Sequence, residues 1–277
     1  LWYSVRRQDR PEYMTITGRY LVGMIITSVA IGVSAFLPDD LRLLVWAAVT
    51  LGWVGGTLLV GLVAGTTDGI EFGATATESM VERFGLFTII VLGEVVVGVV
   101  DGMGEVELDV VSMATGFLAL VIGFGLWWIF FDFVGRRMPR RDAGAFTRWT
   151  MSHLPVTFAI AAAGAAMVGL IEHAHDAQTP STVAWLLAGS VAIALLSLIV
   201  TVHSLADYER LRSVYAPTSV AMAIGAAVAI AVGWLRPAPW LLAALLVAVL
   251  SVIWLVAVDR WLRVRETVVE ASSPDEA

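Results

Sequence analysis

One carboxylate lies deep inside an apolar stretch of this sequence. Glu94 follows Phe84 by ten positions, and the run from Phe84 to Val100 is otherwise apolar or small apart from Thr88. At ~1.5 Å rise per residue, that depth is near the middle of a ~30 Å hydrocarbon core. An ionised carboxylate there costs at least ~2.5 kcal/mol unless water or a partner compensates. Glu94 should therefore be protonated and hydrogen-bonded, or line a polar cavity.

Further ionisable residues are predicted at one level near an end of the membrane core. They are Glu82, Arg83, Asp132 and His153. We expect these four side chains to converge in the bundle interior and to form a relay or gate that leads to Glu94. Histidine suits such a relay because its unperturbed pKa is roughly 6.5. The five residues together are the candidates for a proton or substrate pathway.

The same residues also have structural interpretations. Glu82 can cap a helix at the membrane interface, and Arg83 can extend its charged end to water. Asp132 and His153 can form an interhelical hydrogen bond that fixes packing. Glu94 can be a protonated packing residue, although an acid inside a span is by default a functional hypothesis.

Other polar motifs favour neither a metal nor a cofactor. His203 and Asp207 are four residues apart and could share a metal, but an ordinary interfacial pair is the preferred interpretation. The segment 172–176 could bind zinc loosely, and a solvated loop is preferred there. The chain has no cysteine, and all 17 of its basic residues are arginine, so thiolate metal sites and lysine Schiff bases are excluded. We expect no cofactor and no metal, and we assign no catalytic residue.

The elements that must position these residues are long apolar runs. Hydrophobic residues make up 58% of the 277, which is typical of a polytopic membrane protein. Runs near ~20 residues predict an all-α transmembrane helix bundle of about eight spans. The spans are expected at 20–37, 41–64, 84–101, 110–134, 150–171, 182–204, 217–235 and 238–258. They predict a single integral membrane domain over 1–277, with a disordered tail at 266–277.

Arginine placement predicts the orientation of the bundle. Fifteen of the 17 arginines fall on one side of the predicted spans, and only Arg42 and Arg236 fall on the other. The positive-inside rule then places both termini on the cytoplasmic side of the membrane. We expect this membrane to be the inner membrane of a bacterium. The net charge of −7 arises from acidic loops and tail and indicates no nucleic-acid partner. The expected partners are the lipid bilayer and a second copy in a homo-oligomer. Stripes of small residues such as Gly225 and Gly233 predict close helix–helix contacts, either within the bundle or in a homodimer.

Three sequence blocks resemble a known family. Residues 82–94 read Glu-Arg-Phe-Gly-Leu-Phe-Thr-Ile-Ile-Val-Leu-Gly-Glu, which resembles the signature of the bacterial low temperature requirement A (LtrA) family. Trp127-Trp128 with Phe131-Asp132, and residues 152–155, Ser-His-Leu-Pro, are similar to two further blocks. Members usually carry additional N-terminal helices, so the resemblance implies that Leu1 is not the true start. It implies an integral membrane protein and no particular molecular activity.

Three functions follow from these residues. The first is a transporter or channel, proton-coupled, in which Glu94 takes up and releases a proton. The second is a structural or sensing protein whose polar residues hold helices together. The third is an intramembrane enzyme acting on lipid, for which no activated nucleophile is evident, so the interpretation as an enzyme is disfavoured. The sequence does not identify a substrate.

Overall fold

A computed structural model describes residues 14–64 and 76–272, and everything in these two stretches is helix, turn or loop apart from one isolated bridge. Within these two stretches eight helices follow one another at the positions of the apolar runs. They are α1 (Met14–Ser34), α2 (Asp39–Ala64), α3 (Glu78–Gly104), α4 (Val110–Phe133), α5 (Ala143–Glu172), α6 (Ser181–Val202), α7 (Arg212–Leu235) and α8 (Pro239–Ser272).

The chain divides into two compact units, Leu1–Val63 and Ala64–Ala277. In the first unit, α1 and α2 form a hairpin held by tryptophan side chains. The indole N–H of Trp53 donates to the hydroxyl of Thr27 over 2.8 Å, and that of Trp46 donates to Ser34 over 2.9 Å. The expectation of one membrane domain over 1–277 stays a prediction.

The second unit is a ring of six helices. Around the ring, α3 packs against α5, α5 against α6, α6 against α7, α7 against α8, α8 against α4, and α4 against α3. In this order α3 lies between α4 and α5, and the contact between α8 and α4 closes the ring. Trp149, Tyr215 and Phe130 are among the largest side chains buried inside.

All six helices of this unit are long and apolar enough to cross a membrane. Their outward faces carry large apolar side chains, of which Ile90, Phe117, Phe158, Leu196 and Ile224 are examples. A protein surface of this kind is stable against lipid and not against water. The second unit is therefore a membrane-spanning bundle, while eight spans with both termini on one side stay a prediction.

Capping residues start two helices earlier than the predicted bounds. The hydroxyl of Thr77 accepts the N–H of Met80 over 3.2 Å, so α3 begins at Glu78 and not at Phe84. Asp142 accepts the N–H of Ala145 over 2.7 Å, so α5 begins seven residues before the predicted 150. These first turns extend the apolar spans at the interface because a short polar side chain satisfies amide groups that a helix start leaves free.

The last helix is longer than predicted. α8 continues to Ser272, although the sequence predicts a disordered tail from 266. The segment 266–272 contains no glycine or proline, and the next helix breaker is Pro274, so nothing local ends the helix after the span. Residues 273–277, the rest of the predicted tail, lie outside the described part of the chain.

Each end of the six-helix unit is tied by hydrogen bonds between loops. At the end where α4 leads into α5, the N–H of Ala206 donates to the carbonyl of Met138 over 2.9 Å, beside a bridge between Pro139 and Leu205. At the opposite end, the amide and hydroxyl of Thr179 both donate to the carbonyl of Pro237. These ties fix the positions at which the helices enter the bundle.

Candidate functional site

The carboxylate of Glu94 points away from the six-helix core. Its backbone lies against Gly164 of α5, where an added Cβ would be 2.6 Å from the Glu94 carbonyl oxygen. One turn further on, an added Cβ at Gly98 would overlap the carbonyl of Gly164 itself. This close approach of two backbones fixes the rotation of α3 and leaves the Glu94 side chain exposed on the outer surface of the unit.

Glu94 belongs to a stripe of side chains along the outer face of α3. Spacings of three and four residues place the members of this stripe one above another. All six are exposed: Arg83, Phe87, Ile90, Glu94, Val97 and Asp101. The outer α3 stripe therefore carries a charge at each end, an acid near its middle, and apolar side chains between them.

His153 is buried in a cage of aromatic rings. It is 2% exposed, and its ring centroid lies 4.5 Å from that of Trp149, 4.7 Å from Phe84 and 5.9 Å from Phe130. The Nδ1–H donates to the carbonyl of Trp149 over 2.6 Å. His153 therefore packs as part of this aromatic cluster and does not open onto a cavity described here.

Hydroxyl groups, and not Asp132 with His153, form the interhelical hydrogen bond at this level. Ser152 of α5 and Thr201 of α6 are 2.7 Å apart between their side-chain oxygens, and both are buried. Thr201 also donates to the carbonyl of Ser197 over 2.9 Å. Two other buried groups at this level, the Trp149 indole N–H and the Thr150 hydroxyl, have no hydrogen-bond partner among the described residues.

Asp132 lines a cavity of roughly 310 Å³ on another side of the bundle. The cavity lies between the end of α4, the loop after it, the start of α7, and α8. Its lining combines polar and apolar side chains: Asp132, Phe133, Arg137, Val214, Tyr215, Ala257, Val258, Trp261 and Leu262. Among the described residues, the Asp132 carboxylate has no hydrogen-bond or ion-pair partner.

Glu82 and Arg83 are exposed on α3, and Glu82 lines a different cavity of roughly 510 Å³ together with Arg136 and Phe131. The predicted convergence of the four residues is therefore wrong. Asp132 follows Phe130 by two residues, a rotation of ~200° on a helix, so Phe130 reaches the histidine cage while Asp132 faces the other way. Equal depth along the bundle does not imply a shared site.

A polar network that the sequence did not predict borders the Asp132 cavity. Arg137 forms an ion pair with Asp207, and the Tyr215 hydroxyl donates to the same carboxylate at 3.4 Å. The Arg137 guanidinium lies 5.6 Å from the centroid of the Tyr215 ring, and Tyr208 stacks on that ring at 5.9 Å. The partners are 70 residues apart in the chain, so no local spacing indicates the pair.

The two histidine motifs considered for metals make other contacts. Asp207 faces Arg137, while the Nε2 of His203 accepts from the Tyr208 hydroxyl over 3.0 Å. In the α5–α6 connection, His175 pairs with Asp109 at 2.8 Å, and His173 donates to the carbonyl of Gly169. Within the described ranges, no three histidine or acidic side chains are arranged to hold a metal ion.

Comparison with known proteins places this helical architecture in a family. The family model for "Bacterial low temperature requirement A protein (LtrA)" matches residues 1–258, which include the three sequence blocks, the outer α3 stripe and most of the Asp132 cavity. No curated protein and no solved structure matches the chain.

Proposed function

The chain belongs to the bacterial low temperature requirement A family, and from that premise we propose that it is a multi-pass inner-membrane transporter or channel in which Glu94 carries a proton. The supporting observation is an unpartnered acid at mid-span. Glu94 lies near the middle of the 27-residue helix α3, and no described residue forms a hydrogen bond or ion pair with its carboxylate. An acid at that depth is stable only when a proton, a cation or another polar group neutralises or covers it.

The proposed route runs along the outer α3 stripe and not through the centre of the six helices. Gly98 and Gly164 bring the backbones of α3 and α5 into contact beside Glu94, which leaves no room for water between them. Glu94 also lines neither the Asp132 cavity, nor the cavity beside Glu82, nor the one beside Trp128 and Trp254. Phe87 and Ile90 would then separate Glu94 from Arg83, and Val97 would separate it from Asp101.

The test of proton transport is dissipation of a pH gradient by the purified protein in liposomes. We expect Glu94→Gln to abolish dissipation, because glutamine keeps the shape of glutamate but cannot titrate. The matched control is Glu105→Gln at the C-terminal cap of the same helix, which should retain the parent rate. Equal rates for the parent and Glu94→Gln would contradict the proposal.

The route itself can be tested with single cysteines, because the chain contains none. Val97 and Val96 are both about half exposed, but they lie on different faces of α3. A cysteine at Val97, on the stripe, should react with a charged, water-soluble thiol reagent, and one at Val96 should not. Protection at both positions would show that the stripe faces lipid.

The proposed topology is eight spans with both termini in the cytoplasm, as the arginine distribution predicts. A reporter fused at Asp142, in the α4–α5 connection, should be cytoplasmic. A reporter fused at Asp176, in the α5–α6 connection, should lie outside the cytoplasm. Reversal at either position would refute this orientation.

A structural or sensing role is the second candidate, and the packing of two buried polar residues favours it. His153 packs among aromatic rings, and Ser152 bonds Thr201, so these groups hold helices together without opening a path. An enzyme is less well supported, because the acid and base that it would use, Asp132 and His153, face different surroundings. Under the structural hypothesis, Glu94→Gln changes neither folding nor any proton flux.

A further inference from the structure

We propose that the groove between α4 and α8 binds one phospholipid with a primary ammonium in its headgroup, of the phosphatidylethanolamine type. This goes beyond proton transport. Two cavities share this groove: the Asp132 cavity of roughly 310 Å³ and a second cavity of roughly 210 Å³. The second is lined by Val121, Phe124, Gly125, Trp128, Ile129, Val247, Leu250, Ser251 and Trp254.

The two cavities follow one another along both helices. On α4 the apolar cavity ends at Ile129 and the Asp132 cavity begins three residues later. On α8 the apolar cavity ends at Trp254, and the other begins at Ala257. Their centres are separated by about eight residues, or ~12 Å at the helical rise. A headgroup in one cavity and the upper part of an acyl chain in the other would span that distance.

The polarity of the groove has the same order as that of a lipid. Asp132, Arg137 and the Tyr215 hydroxyl lie at one end, near the loops. Trp128, Trp254 and their neighbours make the other cavity almost entirely apolar. A helix surface that only contacts bulk lipid does not need charged groups in line with a recess for an acyl chain.

The charges of the polar end select the headgroup. The Asp132 carboxylate is unpaired within the described part of the chain, and it can accept hydrogen bonds from an ammonium group. Arg137 uses one side of its guanidinium for Asp207, and a guanidinium carries five N–H donors, so others remain for a phosphate. A primary ammonium donates to a carboxylate, whereas a trimethylammonium cannot, and an anionic glycerol headgroup brings no cation to Asp132.

Two residues of the apolar cavity are placed to contact the glycerol region and the acyl chain of the lipid. Trp254 is the α8 residue of this cavity nearest the Asp132 cavity, so its indole ring would lie beside the glycerol region of the lipid. Gly125 lines the cavity without a side chain, and an added Cβ there would lie 3.0 Å from Leu250 Cδ1, so a larger side chain would narrow the recess.

The experiment measures retained lipid by native mass spectrometry of the purified protein in mixtures of phosphatidylethanolamine, phosphatidylcholine and phosphatidylglycerol of equal chain length. The parent protein should retain one phosphatidylethanolamine in preference to the other two. Asp132→Asn should reduce that preference about tenfold, which corresponds to ~1.4 kcal/mol for one charge-assisted hydrogen bond. Equal retention of the three lipids by the parent, or an unchanged preference in Asp132→Asn, would overturn the proposal.

Variants of the apolar cavity test whether the acyl chain of the lipid binds there. Gly125→Leu should lower retention of all three lipids, and its matched control is Gly189→Leu on α6, where an added Cβ meets no atom within 4 Å. If Gly125→Leu does not fold, Ser251→Leu fills the same cavity from an exposed position of α8, and it should still lower retention. Retention unchanged in a folded cavity variant would exclude this groove as the site.

The experiments distinguish the proposal of a lipid site from the proposal of proton transport. Glu94→Gln lies outside the groove and should keep the full preference for phosphatidylethanolamine even where it abolishes proton flux. A preference lost in Asp132→Asn with proton flux intact would support the lipid site by itself. A preference lost in Glu94→Gln as well would indicate a general loss of structure and would overturn the assignment to this groove.

Discussion

The α3–α5 and α4–α8 interfaces lie in the same six-helix unit and are packed in opposite ways. Between α3 and α5, Gly98 and Gly164 bring two backbones together so closely that neither position has space for a Cβ atom. Between α4 and α8, Trp128 and Trp254 lie edge to face with centroids 5.6 Å apart, and two cavities lie along this interface. One interface is closed by small residues, and the other is held open by large ones.

The difference shows how a membrane bundle can combine rigidity with binding. Lipid tails are as apolar as leucine, so helices in a membrane associate through close van der Waals packing of small residues and not through burial alone. The closed interface supplies that packing and fixes where Glu94 points. The open interface has less of this close packing, and its cavity leaves Asp132 and Arg137 accessible to a ligand.

The largest predicted effect is loss of the closed interface. Gly98→Ala would place a methyl group on the carbonyl of Gly164, where backbone and not a flexible side chain must move. We expect a loss of roughly 2–3 kcal/mol in unfolding free energy, as in other overpacked cores. Equilibrium unfolding in mixed micelles measures it.

A glycine on the same helix provides the control for Gly98→Ala. An added Cβ at Gly93 meets no atom within 4 Å, so Gly93→Ala should remain within about 1 kcal/mol of the parent and can be stabilising. If the two variants unfold alike, the effect belongs to helix propensity and not to the interface, and the contrast between the two interfaces loses its basis.

The open interface should tolerate the same change. At Gly125 an added Cβ would lie 3.0 Å from Leu250 Cδ1, which can rotate away, and 3.3 Å from Leu250 Cβ, which needs a shift of a few tenths of an ångström and no backbone overlap. Gly125→Ala should therefore cost less than about 1 kcal/mol, in contrast to Gly98→Ala. The same unfolding assay decides this, and a loss as large as that of Gly98→Ala would mean that α4 and α8 are as tightly packed as α3 and α5.

The sequence predicts the helices well and their rotation poorly. Long apolar runs determine where the spans lie, and Thr77 and Asp142 are recognisable helix caps that account for the early starts of α3 and α5. The glycine stripe of α7 is also confirmed, because an added Cβ at Gly225 would contact Val249 and Ile253 of α8, and one at Gly233 would contact Ala188 of α6. These properties depend on residues within one or two turns of each other.

The candidate site depends on contacts that no local pattern reveals. Gly98 and Gly164 meet across two helices, and their contact turns Glu94 outward. Asp132 and His153 share a depth, but the choice of which face of α4 meets α5 belongs to the packing of the whole bundle. Sequence spacing gives the position of a polar group along a helix, and tertiary packing decides which side of the bundle it faces.

A smaller effect is expected at the rim of the open interface. The side chains of Arg137 and Asp207 are 28% and 29% exposed, so their ion pair is partly screened by solvent. Arg137→Gln should cost about 1 kcal/mol, and Asp207→Asn in the same protein should recover part of it by removing the unpaired carboxylate. A double-mutant cycle on unfolding free energy tests this coupling, and additive losses would show that the two charges do not interact.

The smallest effect is a pH dependence at the opposite end of the unit, where Asp109 caps α4. The backbone N–H of Ser112 donates to this carboxylate over 2.8 Å, and His175 lies 2.8 Å away, so the pKa of Asp109 is below its ordinary value. A carboxyl whose folded pKa is depressed stabilises the fold above its unfolded pKa, and that contribution is lost as the pH falls through the folded value. Asp109→Asn keeps an oxygen to accept the Ser112 N–H but cannot ionise, so the fall in stability below pH ~4 should be shallower than in the parent. Asp176→Asn removes the same charge from the neighbouring loop and should leave the acid limb unchanged. Thermal unfolding from pH 3 to pH 7 measures all three proteins, and parallel curves for the parent and Asp109→Asn would show that the cap is stabilised by geometry alone.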